Sequence, residues 1–160
     1  KALEFDLKSN KNDLDTVTCY KNLAAALKQA GRSEEAIEML EKSVAVEEDI
    51  LGLDNVQVAI SYNVLGNFCK EKGDTAGAVY MYKKSANVYE NLHGRQCHHP
   101  DTAMAYSKIT ILLMQDKKLE EALLWGKKAL SGLEATRGTI HPDTMMMNAM
   151  VETLSNQMKT

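Results

Sequence analysis

Gly31-Arg32-Ser33-Glu34-Glu35-Ala36 decides the fold, because it comes back twice. It returns as Gly73-Asp74-Thr75-Ala76-Gly77-Ala78 and, in a worn form, as Lys117-Lys118-Leu119-Glu120-Glu121-Ala122. The three alanines stand 42 and 44 residues apart. The match extends outward in both directions. Sixteen residues before each alanine is Tyr20, Tyr62 or Tyr106, and thirteen before is Leu23, Leu65 or Ile109. Seven after is Ser43, Ser85 or Ala129. His99-Pro100-Asp101-Thr102 recurs as His141-Pro142-Asp143-Thr144. The two extra residues of the longer interval fall in Gly94-Arg95-Gln96-Cys97-His98, a loop by composition. A fixed period of this size marks a stacked array of supersecondary units.

Each unit reads as two amphipathic helices, A over 14–30, 55–72 and 100–115, and B over 33–51, 75–93 and 119–137. Ser33 is the expected N-cap of the first helix B, and Gly31 and Gly73 suit the left-handed stop that ends a helix A. Pro100 and Pro142 suit a first helical turn, with Asp101 and Asp143 facing the positive end of the helix dipole. Ala24, Gly66, Ala36, Ala78 and Ala122 allow close approach of paired helices. Residues 1–9 resemble the end of a helix B, and 142–157 a lone helix A. The array is thus expected to divide as 1–12 (end of a preceding helix B), 13–54, 55–98, 99–140 and 141–160 (helix A of a further repeat). Without an initiator Met, and with apolar stacking surfaces expected at its ends, the chain reads as a piece of a longer array.

Composition narrows the function. The 160 residues carry 19 Lys+Arg against 22 Asp+Glu, a formal charge of -3, with 44% apolar and 26% charged residues. That balance argues against nucleic acid as the main ligand, since phosphate binding needs a basic surplus. No apolar run is long enough to insert in a membrane. Three cysteines, Cys19, Cys69 and Cys97, fit no disulfide framework and point to a reduced, cytoplasmic setting. Phosphate-loop, zinc-protease, Cys-x-x-Cys and nucleophile-elbow motifs are missing. The reading is therefore non-enzymatic, with no cofactor. His93, Cys97, His98 and His99 are of metal-ligand type, but their spacing matches no zinc pattern, and an inter-repeat loop is the better reading. Glu34/Glu35 and Glu120/Glu121 suit the dipole at helix B starts, and Lys83-Lys84 and Lys127-Lys128 a solvated face or inter-helix pairs. Met145-Met146-Met147-Asn148-Ala149-Met150 reads as core and interface filler.

The tyrosine, leucine, small, large, glycine and alanine positions of each unit resemble the tetratricopeptide repeat. They are Tyr20, Leu23, Ala24, Leu27, Gly31 and Ala36 in the first unit, and Tyr62, Leu65, Gly66, Cys69, Gly73 and Ala78 in the second. In the third they are Tyr106, Ile109, Thr110, Leu113, Lys117 and Ala122. The 42-residue unit, with Leu51-Gly52-Leu53-Asp54 and His99-Pro100-Asp101-Thr102-Ala103 junctions, resembles the long repeat of kinesin light chains.

The resemblance implies an all-α, right-handed solenoid of antiparallel helix pairs whose A helices line a concave groove. Carried over by position, the groove offers Lys21, Ala25 and Lys28 from the first unit, with Thr18 and Gln29 beside them. The second offers Asn63, Asn67 and Lys70, flanked by Ile60 and Glu71. The third offers Met104, Ser107, Ile111 and Met114, then Gln115, and the last helix adds Met146, Ala149 and Thr153. Lysines attract acidic side chains, asparagine amides pair with a peptide backbone, and a Met/Ile surface takes an apolar anchor. The implied role is a cytoplasmic adaptor or scaffold, kinesin light chain-like cargo adaptors included, binding a short acidic segment with one bulky apolar residue. The Lys/Asn clamp that holds chaperone C-termini is not matched: Lys21 is present, but the Asn places hold Ala25 and Val64, and the two third-unit Lys/Arg places hold Met104 and Lys108. Two other readings stay open. One is a structural scaffold that oligomerises through the array ends. The other is an accessory module of a larger enzyme or RNA-associated protein.

Overall fold

The computed structural model describes residues 14–94 and 99–159. The expectations for residues 1–12 and for Cys97 and His98 lie outside them. The described residues form seven helices and no strand: α1 Leu14–Gln29, α2 Ser33–Leu51, α3 Val56–Lys72, α4 Thr75–His93, α5 Pro100–Gln115, α6 Leu119–Arg137 and α7 Pro142–Gln157. Backbone packing runs from each helix to the next, tightest within α1/α2, α3/α4 and α5/α6. This is an all-α superhelical array.

Three A-to-B turns share one geometry. The amide of Gly31 donates to the Lys28 carbonyl and that of Arg32 to Leu27. The same pair recurs as Gly73 to Lys70 with Asp74 to Cys69, and as Lys117 to Met114 with Lys118 to Leu113. The pivot has φ +75° at Gly31, +88° at Gly73 and +58° at Lys117. Only the third turn forces a side chain into the left-handed region, where Cβ crowds the backbone.

Helix starts depart from expectation at one place. Ser33 is the first helical residue of α2, and the cap position belongs to Arg32, which makes no side-chain cap bond. Arg32 instead pairs with Glu35. Asp74 Oδ1 accepts from the Gly77 amide at 2.8 Å and so caps α4. At α5 and α7 the caps are histidines: His99 Nδ1 accepts from the Asp101 amide and His141 Nδ1 from the Asp143 amide. A ring nitrogen thus does what a serine or aspartate oxygen does elsewhere.

Small residues set the distance between paired helices. Ala24, Ala36, Ala78 and Ala122 are wholly buried. A Cβ on Gly66 would meet the Tyr82 ring at 2.7 Å, so α3 and α4 close on that ring only without a side chain there. Buried tyrosines fasten each pair to the next. Tyr62 donates its hydroxyl to Glu48, and Tyr106 to Glu90, across the α2/α3 and α4/α5 joints. Three of the four paired lysines on the B helices are held: Lys83 bonds Glu121, while Lys84 and Lys128 sit over the Tyr62 and Trp125 rings, and Lys127 is exposed.

The last helix is split. Thr144, Met147, Val151 and Leu154 are buried toward α6. On the opposite face, Met145 and Met146 are 60% and 51% exposed, and the register that holds Tyr62 and Tyr106 holds exposed Asn148, which donates to Glu152 at 3.0 Å. The methionine run is therefore half filler and half surface, and the outer stacking face is largely polar. No helix among the described residues is long and apolar enough to cross a membrane.

Candidate functional site, a furrow between α3 and α5

The A helices hold two adjoining pockets. Asn67, Lys70, Lys108, Ile111, Leu112 and Gln115 line the first over a floor of Tyr82. Ile60, Asn63, Val64, Asp101, Met104, Ala105 and again Lys108 line the second over Tyr89. Walls come from α3 and α5 and floor from α4. Each encloses about 190 Å³, room for one side chain and less than the cavities of several hundred Å³ that hold drug-sized ligands.

Lys108 is the centre of the furrow. Its Nζ donates to Asn63 Oδ1 at 3.2 Å and lies 5.1 Å from the Tyr82 ring centroid. It is half-buried, and no carboxylate lines the first pocket with it. Burial, and then the charge of Lys70, hold its pKa below the usual lysine value. An ammonium with a lowered pKa and no ion-pair partner is electrostatically incomplete, and an anion placed between Lys70 and Lys108 would offset the repulsion of Lys70 and favour the charged form against its burial.

The amides around it are held. Asn63 Nδ2 donates to Ser85 Oγ at 2.6 Å, which turns its Oδ1 toward Lys108. Tyr82 donates its hydroxyl to Asn67 Oδ1 at 2.6 Å, leaving the Asn67 amide hydrogens for a guest. Burial, foremost, pushes the Tyr82 phenol up to about 12 and raises Tyr89, so both floor hydroxyls stay protonated at neutral pH.

The furrow gathers part of the set expected from sequence. Asn67, Lys70 and Ile111 line the first pocket, and Asn63 and Met104 the second. Of the flanking positions, Gln115 lines the first and Ile60 the second, and the rest of the expected set lines neither. Lys21 donates to Glu47, a carboxylate only 3% exposed, at 2.7 Å. It is a structural counter-ion rather than an open groove cation. Lys28 pairs with Glu71 at 2.5 Å and lies over the Phe68 ring. Ala25 is exposed without polar function. The Ser107 hydroxyl donates back to the Ala103 carbonyl, and Met114 packs on the core. Sequence reading met Lys108 only as a place of the disfavoured clamp, one residue past the position taken for the groove, and missed both floor tyrosines. A B-helix tyrosine reaching between two A helices has no signature in a pattern that assigns the groove to A helices alone. Among the described residues no cluster of three metal-ligand side chains forms. His93 and His99 stack at 3.8 Å.

Comparison with known proteins agrees with this architecture. Two overlapping matches to a tetratricopeptide repeat family model span residues 15–91 and 57–135. Curated relatives include the clustered mitochondria protein homologs of Ajellomyces capsulatus and Aspergillus niger, each 26% identical over 119 residues, 74% of this chain. The chain spans only about a tenth of the length of those relatives. Among solved structures, BtubC (BKLC) from P. vanneervenii is 20% identical, with TM-score 0.71, over 97% of this chain and 61% of that one. A Podospora anserina protein of nearly identical TPR-like repeats, described as a kinesin light chain, is 16% identical, with TM-score 0.75, over 96% and 72%. Family match, helix register and fold agree: the chain belongs to the tetratricopeptide repeat family, in its long, kinesin light chain-like form, and its fold is that of a protein-interaction module.

Proposed function

We propose that the α3/α5 furrow binds a short acidic segment of a partner protein, and that the module serves as a cytoplasmic adaptor or scaffold. The observation that carries this reading is the pair Lys70 and Lys108 in one pocket with no acidic residue lining it. Elsewhere on the A helices the lysines Lys21, Lys28 and Lys72 already have carboxylate partners. Two cations left over a tyrosine floor are a site for an anion of the partner. Ile60 and Met104, each about two-fifths exposed, offer an apolar anchor next to it. The furrow is preformed, so the guest bears most of the ordering cost and affinity is modest. A cargo-adaptor role like that of kinesin light chains, and a role within a large protein like the clustered mitochondria homologs, are two settings for the same recognition.

The test is selection from a random-peptide display library on the intact chain and on a Lys70→Glu/Lys108→Glu variant. The expected result is enrichment of acidic segments by the first and their loss with the second. Equal enrichment by both would place recognition on another surface.

A further inference from the structure

The two pockets are in strict register. Ile60 and Asn67 lie seven residues apart on α3, Met104 and Ile111 seven apart on α5, and Tyr82 and Tyr89 seven apart on the antiparallel floor helix. Two helical turns on each of three helices put the pocket centres about 10 Å apart along the furrow. A ligand that fills both pockets must span that interval with side chains on one side.

Backbone geometry then selects the ligand. A β-strand returns to the same face every second residue, at about 7 or about 13 Å, and misses the interval both ways. Polyproline II returns every third residue, at about 9 Å, and fits. Each pocket holds one side chain, and the charges differ. Lys70 and Lys108 flank the first with no carboxylate, whereas in the second Lys108 is opposed by Asp101, half exposed, which repels a carboxylate there.

We propose that the furrow reads its ligand at a fixed interval: an apolar side chain between Ile60 and Met104, and a carboxylate three residues away between Lys70 and Lys108, on a segment in polyproline II conformation. This rests on the acidic-segment reading above and specifies it. The ligand backbone runs along the furrow, parallel to α3 and α5. The Asn67 amide hydrogens meet a carbonyl of the guest near its acidic end.

The experiment uses fluorescent blocked peptides, each with one Leu and one Glu in a Pro/Ser background, separated by zero to six residues, in both orders. Anisotropy titration is expected to give about tenfold tighter binding at two intervening residues than at any other spacing, in one of the two orders. Lys108→Met should abolish that preference. Ile60→Gln/Met104→Gln should abolish the need for Leu, at surface positions where circular dichroism and melting report an intact fold. Equal affinity at all spacings, with Leu and Glu both still needed, overturns the interval and leaves the acidic-segment reading standing. A maximum at six intervening residues marks a helical guest and overturns the polyproline geometry. Indifference to Glu→Gln in the peptide overturns both.

Discussion

Removing the Lys21 ammonium tests whether that lysine serves the fold or a ligand. Its Nζ lies 2.7 Å from Glu47 Oε1, with the carboxylate 3% and the lysine 35% exposed, and the second carboxylate oxygen, Oε2, is buried without a hydrogen bond. Breaking a buried pair by deleting one partner costs about 3–5 kcal/mol, because the remaining charge is stranded. Lys21 keeps partial contact with water, so about 2 kcal/mol is the expected loss for Lys21→Met. In a chain of this size that lowers Tm by roughly 4–8 °C. The third unit carries Leu133 at the place of Glu47, fully packed. Glu47→Leu added to Lys21→Met should therefore restore most of the stability, because it removes the stranded charge instead of leaving it. The assay is a double-mutant cycle in urea, followed by far-ultraviolet circular dichroism. A single mutant within about 0.5 kcal/mol of the wild type would show that Glu47 is solvated or held by another group.

Four further outcomes follow from particular contacts. Lys117→Gly should stabilise the chain by about 0.5–1 kcal/mol, since it relieves the left-handed side chain in the third turn while loosening the unfolded state; destabilisation in a melt would mean that the lysine packs usefully. Gly66→Ala should destabilise by about 1–2 kcal/mol even though alanine favours helices, because the Tyr82 ring is fully buried and has little room to retreat. Tyr82 has a folded pKa of about 12 against about 10 unfolded, so its contribution is intact below pH 10 and is lost as pH rises through 12; loss of its phenolate absorbance step near pH 12 in Tyr82→Phe checks the assignment. Asn148→Tyr/Glu152→Ala should turn the outer face of α7 apolar and raise self-association in sedimentation velocity, and unchanged sedimentation would mean that this face is already covered.

Helices were legible in the sequence because repetition supplies three readings of every boundary. The starts at Ser33 and Thr75 and the ends at Leu51, Lys72 and Arg137 follow from aligning the units on Ala36, Ala78 and Ala122. What repetition hides is which atom of a recurring residue acts, and which partner reaches a residue that varies. His99 and His141 were read for their prolines, yet the ring nitrogens make the caps. Lys21 and Lys28 looked like open groove cations because periodicity fixes which side a residue faces but not which carboxylate arrives from another helix. Glu47 and Glu71, which engage them, come from α2 and α3. The furrow was half legible for the same reason: its walls belong to A helices, while Tyr82 and Tyr89 reach it from α4.

The distribution of partners along the A helices favours one joint for the proposed acidic guest. At the first unit the cations are spent on the fold, Lys21 on Glu47 and Lys28 on Glu71, so an acidic guest would have to displace a pair already made. Such an exchange gains little, because one carboxylate replaces another. At the α3/α5 joint, Lys108 meets an amide oxygen, a ring face and the repulsion of Lys70, makes no ion pair, and shares only the second pocket with a carboxylate, Asp101. A guest carboxylate there replaces repulsion with attraction in a partly dry pocket, where a charge is worth more than on the open surface. As pH rises through the lowered pKa of Lys108 that attraction fades, whereas at a fully exposed lysine it would persist toward pH 10. Affinity for an acidic peptide that already falls below that limit is therefore the signature that separates binding at Lys108 from binding to the surface at large.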